Sequence, residues 1–330
     1  MKKILITGAS GFIGSFIVED ALKKDLIVYA GIRASSSKKY LQDSSINFIN
    51  LDFSDKEGLI KIIKDNKFDY IVHNAGLTKA KKKDDFDIVN FQYTKNFIDA
   101  IVASGAIPEK FILISSMAAI GPGADSDTIP VKSSDKPHPD TLYGLSKIKA
   151  EEYIATIPDF PYIIIRPTGV YGPRETDYFV FFNTINKSIE PYIGLKQQYL
   201  TFIYVKDLVN AIFLAIASNI NRKSYIVSDG NSYTAKEFAV IAKKHLNKKT
   251  FKLYVPLFIV RTIVFTLETI SIVTGKVPTL NKDKYNVLKS RNWLCDTSDL
   301  QRDLNFKAVY DLDKGVKEAI EWYKKENWIK

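Results

Sequence analysis

Through the first half of the chain, apolar runs of strand length alternate with segments in which apolar residues recur every three or four positions. The runs predict strands over 3–7, 26–31, 46–50, 70–73, 110–115 and 162–166. The longer-period segments predict helices over 12–24, 56–65, 87–104 and 143–157. Repeats of strand, helix and strand build a parallel sheet, and crossovers between parallel strands are right-handed almost without exception. The expected fold class is therefore α/β, a doubly wound parallel sheet whose ligand crevice opens at the carboxyl ends of its strands.

From Pro167 the alternation fades. A Gly/Pro-rich turn over 168–174 leads into the aromatic stretch 178–182, which reads as a substrate-facing loop and helix. A strand over 202–205, a helix over 207–218 and a strand over 224–228 then resume the first pattern, after which helices dominate. The interleaving predicts a nucleotide-binding domain from 1–172 and 202–229, and a smaller, mostly helical C-terminal substrate domain from 173–201 and 230–330.

Composition removes several function classes. With 330 residues, 46% hydrophobic and 25% charged, the chain can bury a large core and is neither collagen-like nor low-complexity. One cysteine, Cys295, and three histidines build neither a disulfide framework nor a Cys/His zinc module, so no metal site is expected and a reducing cytoplasm fits. The charge of 47 − 37 = +10 is spread over scattered lysine pairs and one run, 79–83, interrupted at Ala80. Without arginine clusters or interleaved aromatics this reads as solvated surface, and no nucleic-acid partner is expected. The longest uncharged stretch, 4–18, is 15 residues and contains three glycines, so neither an export signal nor stable membrane insertion is expected.

Thr7-Gly8-Ala9-Ser10-Gly11-Phe12-Ile13-Gly14 falls where the first strand ends and the first helix begins. Glycines there permit a tight turn and close backbone approach to a pyrophosphate, whose charge the helix N-terminus stabilises. Gly8, Ser10, Gly11, Phe12, Ile13 and Gly14 are the candidate contacts. A carboxylate at the end of the second strand would hold the adenosine ribose of NAD; here Arg33, Ser35 and Lys38 occur and no carboxylate comes before Asp43. Cationic donors suit a 2′-phosphate, so NADP is expected over NAD.

The Gly-x-x-Gly-x-x-Gly spacing together with Tyr143-Gly-Leu-Ser-Lys147 resembles the short-chain dehydrogenase/reductase superfamily. Arg166-Pro-Thr-Gly-Val-Tyr-Gly-Pro-Arg174 and the chain length resemble its extended branch, the NAD-dependent epimerase/dehydratase family. The resemblance spans essentially the whole chain and implies a Rossmann-type sheet, a homodimer and hydride transfer. It also implies cofactor contacts at Asp52, Phe53, Asn74, Ala75, Gly76, Asn90, Pro167, Gly169 and Val170, with Asp52 alternatively a helix cap before Asp55. His73 reads as a packing residue at a strand end.

Tyr143 and Lys147, four apart, share a helix face. A nearby ammonium and an oxidised nicotinamide both favour the phenolate and are expected to lower the tyrosine's pKa. Tyr143 would exchange a proton with the substrate oxygen, Lys147 would hold the nicotinamide ribose, and Ser116 resembles the serine that hydrogen-bonds the substrate, with Ser115 as its neighbour.

Substrate is the least determined feature. Members of this family acting on nucleotide sugars commonly carry Asn where Gly169 stands, and an arginine where Leu200 stands. Missing anchors weaken a diphosphate ligand unless Arg174 or Lys196 substitutes. Residues 256–274 are nearly continuous Leu, Ile, Val and Phe; followed by 275–280 and Glu321-Trp322-Tyr323 they resemble the 3β-hydroxysteroid and sterol dehydrogenase subgroup, and residues 28–33 resemble dihydroflavonol-reductase-like members. The apolar run also suits plain core, a dimer face or contact with a membrane surface. The expected function is hydride transfer between NADP(H) and a secondary alcohol or ketone of an apolar small molecule. The alternatives are a nucleotide-sugar epimerase, dehydratase or reductase, and a non-catalytic NADP sensor.

Overall fold

A computed structural model describes residues 1–80, 82–274, 278 and 280–329. Residue 81 of the lysine run, and residues 275–277 and 279 of the 275–280 segment, lie outside the described residues. Two compact units share the chain: one comprises Met1–Ala119, Leu142–Arg166 and Val209–Tyr225, the other Ile120–Thr141, Pro167–Leu208 and Ile226–Lys330.

The first part of the chain runs β1 (Lys3–Thr7), α1 (Phe12–Leu22), β2 (Ile27–Ile32), β3 (Asn47–Asn50), α2 (Lys56–Asn66), β4 (Tyr70–His73) and a turn of helix, α3 (Asp84–Phe86). That turn continues as a π-helical stretch, Asp87–Gln92, into α4 (Tyr93–Ser104), followed by β5 (Lys110–Ile114), a 3-10 turn (Met117–Ala119), α5 (Leu142–Thr156) and β6 (Tyr162–Pro167). Next come β7 (Gly169–Tyr171), α6 (Asp177–Asn186), β8 (Ile189–Ile193), β9 (Tyr199–Leu200), β10 (Phe202–Tyr204), α7 (Val205–Ala217) and β11 (Lys223–Val227). The chain ends with β12 (Tyr233–Thr234), α8 (Ala235–Leu246), β13 (Phe251–Val255), α9 (Leu257–Thr274), α10 (Lys282–Lys289), α11 (Ser298–Leu304) and α12 (Leu312–Lys325).

Seven strands form one sheet in the order β11-β6-β5-β4-β1-β2-β3. The strands β1, β5 and β6 are buried almost throughout, as parallel strands covered on both faces must be. By contrast β3 alternates little and ends the sheet with exposed Asn47 and Asn50, which blunts an open edge. Strand order reverses between β1 and β4, which pair in register from Ile4 opposite Tyr70 to Thr7 opposite His73. Their carboxyl ends therefore finish level, at the switch point where doubly wound sheets bind ligands.

The second unit has its own core around Phe182, Phe202, Phe238, Leu312 and Tyr323. Its strands form three two-stranded ribbons, β7 with β10, β8 with β13 and β9 with β12. A capping box between Thr234 and Glu237 starts α8, and Asp311 caps α12 by accepting the Lys314 N–H at 2.8 Å. No helix among the described residues is long and apolar enough to cross a membrane.

Candidate active site

The loop after β1 is shaped by the strand beside it. The Thr7 hydroxyl oxygen accepts the backbone N–H groups of Asn74 and Ala75, both at 3.1 Å, and donates to His73 Nδ1 at 2.9 Å. His73 Nε2 then donates to Thr94 at 3.0 Å, whose hydroxyl donates to the Asn90 carbonyl at 2.8 Å. That network assigns the Nε2–H tautomer. Burial, with a smaller contribution from the Lys147 charge, holds the imidazole down to about 3, so it is neutral at physiological pH and joins β1, β4 and α4.

This clip brings the turn of Asn74, Ala75 and Gly76 against Gly8. With φ +63°, Gly8 has a left-handed backbone, and a Cβ on it would fall 2.9 Å from the Ala75 nitrogen and the Asn74 oxygen. A Cβ on Gly14 would come 2.2 Å from the Gly8 carbonyl oxygen, so only glycine lets α1 start so close to the loop. No side chain caps α1 and its first turn has no acid, so these N–H groups face an exposed Gly11 and half-buried Ser10, Phe12 and Ile13. The close backbone and the uncapped, acid-free helix start suit an anion such as a pyrophosphate.

On α5 the spacing of Tyr143 and Lys147 places both beside the end of β5. The Lys147 ammonium donates to the Ile114 carbonyl at 3.0 Å and lies 6.0 Å from the Tyr143 ring centre. Burial lowers its pKa to about 8, opposed by the charge of Glu151. Ser116 hydrogen-bonds Tyr143 and also accepts the Ala118 N–H at 3.2 Å, whereas Ser115 is buried and donates to Glu151. Among the protein's own groups burial dominates and pushes the Tyr143 phenol up to about 12, against the Ser116 hydrogen bond, so the part of the expected lowering assigned to the Lys147 ammonium does not appear.

Asn90 lies buried in the π-helical stretch and is fully engaged. Its Oδ1 accepts the Leu77 N–H at 2.7 Å, and its Nδ2 donates to the Leu77 carbonyl and to Ser146, both at 3.0 Å. A Cβ on Gly76 would come within 2.9 Å of Asn90 Oδ1 and 3.2 Å of the Lys147 ammonium, so the glycine admits both groups. Sequence reasoning missed Thr7, Thr94, Ser146 and above all Glu151. Glu151 stands four residues past Lys147 on the same face, a polar residue where the stripe turns inward. It is 3% exposed and receives Arg166 Nε at 3.1 and 3.0 Å, an Arg166 Nη2 bond and the Ser115 hydroxyl.

At the end of β2, Arg33 and Ser35 are exposed, and Arg33 closes a short turn with its N–H on Ser36 at 3.1 Å. Lys38 is exposed too, with its ammonium 4.0 Å from the Phe48 ring centre. Asp52 accepts both the N–H and the hydroxyl of Ser54, at 2.9 and 2.6 Å, which lowers its pKa. The cap of α2 is Asp55, which accepts the Gly58 N–H at 3.0 Å, so the alternative of Asp52 as that cap does not hold. Phe53 packs against His73, Tyr93 and Phe97 at ring separations of 5.5, 6.2 and 5.4 Å. Pro167 closes β6, and Gly169 and Val170 stand on β7 opposite Phe202 and Ile203.

Residues 4–228 match the model of the NAD-dependent epimerase/dehydratase family, and the chain belongs to that family. It is similar to a UDP-glucose 4-epimerase of Vibrio cholerae, 28% identical over 88% of this chain and 90% of the relative. It is equally similar to a decarboxylating sterol-4-alpha-carboxylate 3-dehydrogenase of Dictyostelium discoideum, 28% identical over 78% of this chain and 80% of the relative. Among solved structures, a UDP-glucose 4-epimerase of Thermotoga maritima with UDP-glucose superposes with a TM-score of 0.81 at 20% identity, covering 98% of this chain and 99% of that one. The protein is thus an NAD(P)-dependent enzyme of oxidoreductase type, and its relatives include sugar epimerases and sterol dehydrogenases.

Proposed function

We propose that the protein is an NADP(H)-dependent reductase acting on a ketone, or in reverse a secondary alcohol, of an apolar molecule. One observation carries the reading. A Cβ on Gly169 would stand 2.2 Å from the Tyr178 hydroxyl, so the place where an asparagine would meet a diphosphate is filled by a tyrosine. The Tyr178 ring packs on Phe202 and Phe238 at 5.7 and 5.9 Å, and Leu200 leaves the neighbouring ribbon without a cation at its position. Both changes remove charge-assisted hydrogen bonds, each worth about 1.5–3 kcal/mol, from a nucleotide-sugar ligand.

In this reading the glycine loop and the start of α1 hold the pyrophosphate, Arg33 and Ser35 the ribose 2′-phosphate, and Lys147 the nicotinamide ribose. Bound there, the cofactor supplies or accepts hydride. Tyr143, kept protonated by burial, is in the state that a proton donor to a carbonyl oxygen requires, and Ser116 orients the same oxygen.

The test is a turnover assay with a panel of steroid and aromatic ketones beside UDP-, GDP- and dTDP-sugars. Net NADPH consumption with an apolar ketone is expected. Interconversion of a nucleotide sugar without net cofactor consumption would overturn the reading in favour of an epimerase. A second expectation concerns Arg33: Arg33→Ala is expected to raise the KM for NADPH at least about tenfold and to leave that for NADH nearly unchanged, the size of one lost charge-assisted contact. Equal effects on both would remove Arg33 from phosphate recognition.

A further inference from the structure

Helix α9 is apolar around most of its circumference, yet it uses only a narrow stripe for packing. Val260 and Val264 are buried, while Phe258 is 70% and Phe265 73% exposed, with Ile263 and Ile270 also open. The strand before it, β13, adds Phe251, 72% exposed, and Leu253 on the same strand face. A helix with apolar residues on nearly every side belongs against something other than water, and so many exposed apolar side chains along one helix mark a contact surface.

Charge decides what that surface meets. Lys248 and Lys249 are exposed in the turn before β13, and with Lys243 and Lys244 of α8, Lys252 of β13 and Glu190 they line an open hollow of about 800 Å³ on the strand face opposite Phe251 and Leu253. Glu190 pairs with Lys243 at 2.7 Å and Asp313 with Lys244 at 2.8 Å. Among the described residues no carboxylate pairs with Lys248, Lys249, Lys252 or Arg261. A second copy docked through this same face would bring to it a patch of the same positive charge. An anionic bilayer satisfies both features, with phosphate headgroups at Lys248, Lys249 and Arg261 and the apolar side chains of α9 at the acyl boundary.

We infer that β13 and α9 form a docking surface for an anionic lipid membrane. The helix lies on the bilayer and does not span it. Its 18 residues reach about 27 Å, short of the hydrocarbon core, and it carries Arg261 and Glu268. Glu268 also accepts the Lys282 N–H at 2.9 Å, which ties the helix to the start of α10. The inference rests on this surface alone and holds whatever the substrate.

The experiment is flotation of the full chain with vesicles of phosphatidylcholine alone and of phosphatidylcholine with phosphatidylglycerol, at low and high salt. The protein is expected to float with the anionic vesicles, to do so less at high salt, and to bind the neutral ones at least tenfold more weakly. Phe258→Ser with Phe265→Ser is expected to lower partitioning onto anionic vesicles at least tenfold, and Lys248→Glu with Lys249→Glu to erase the preference for them. All four positions are exposed, so unchanged melting temperatures serve as the folding control. Failure of the wild-type chain to float with anionic vesicles overturns the inference, as does equal flotation of the double phenylalanine variant. A concentration-dependent dimer that the phenylalanine variant dissociates, with no vesicle binding, would assign the face to a second copy instead.

Discussion

Tyr143→Phe is expected to lower kcat at least about 10²-fold while leaving melting temperature and cofactor affinity nearly unchanged. The ring is half-buried and meets Phe86 edge-on at 6.2 Å, a contact that phenylalanine keeps. The substitution removes the hydroxyl and with it the hydrogen bond to Ser116, a structural cost of about 1 kcal/mol. The catalytic cost is larger because the neighbouring titratable groups are already engaged: His73 is neutral and hydrogen-bonded at both nitrogens, and Glu151 is committed to Arg166 and Ser115. The pH profile carries an independent sign. Lys147 is cationic below about 8 and Tyr143 protonated below about 12, so kcat/KM for reduction is expected to be level below pH 8 and to fall above it. Turnover retained in Tyr143→Phe would take the proton-donor role from this residue, and a rate rising through pH 8 would contradict the protonation states assigned to the pair.

Local pattern reaches most of the sheet because each central strand is apolar on both faces and bounded by polar residues. The strands 3–7 and 70–73 are found as expected, and the others shift by a residue at one or both ends. Pattern does not reach the π-helical stretch, since apolar spacing over 87–104 reads as one continuous helix while the structure widens its first turns and places Asn90 against Leu77 and Ser146. The glycine loop is legible as a motif, but the reason for Gly14 is a contact with Gly8 that only the fold brings about. Buried polar residues are the least legible class. Ser115 and Ser116 are neighbours of identical type in the short link between β5 and the 3-10 turn, and one bonds Glu151 while the other bonds Tyr143, a difference that residue type does not encode. The apolar run of α9 is ambiguous for a related reason: hydropathy gives its preference for a nonpolar contact, and the partner in that contact is not written in the run itself.

Glu151 also carries the largest stability effect expected of any single substitution here. Its carboxylate and the Arg166 guanidinium are 3% and 7% exposed, joined through Nε at 3.0 and 3.1 Å and again through Nη2. Removing one partner leaves the other buried and charged, which costs about 3–5 kcal/mol, so Glu151→Ala is expected to lower the melting temperature by several degrees. Glu151→Leu with Arg166→Met removes both charges and fills much of the same volume, and is expected to melt higher than Glu151→Ala although it changes two residues. Glu151→Gln separates structure from chemistry. It keeps a hydrogen-bond partner for Ser115 but lacks the negative charge that raises the Lys147 pKa, so the alkaline limb of the pH profile is expected to move to lower pH while turnover at its plateau is kept. Thermal melts of the three variants and pH profiles of the glutamine variant measure these effects. A double variant no more stable than Glu151→Ala would show that the pair contributes by shape and not by charge, and an unmoved alkaline limb would detach Glu151 from Lys147.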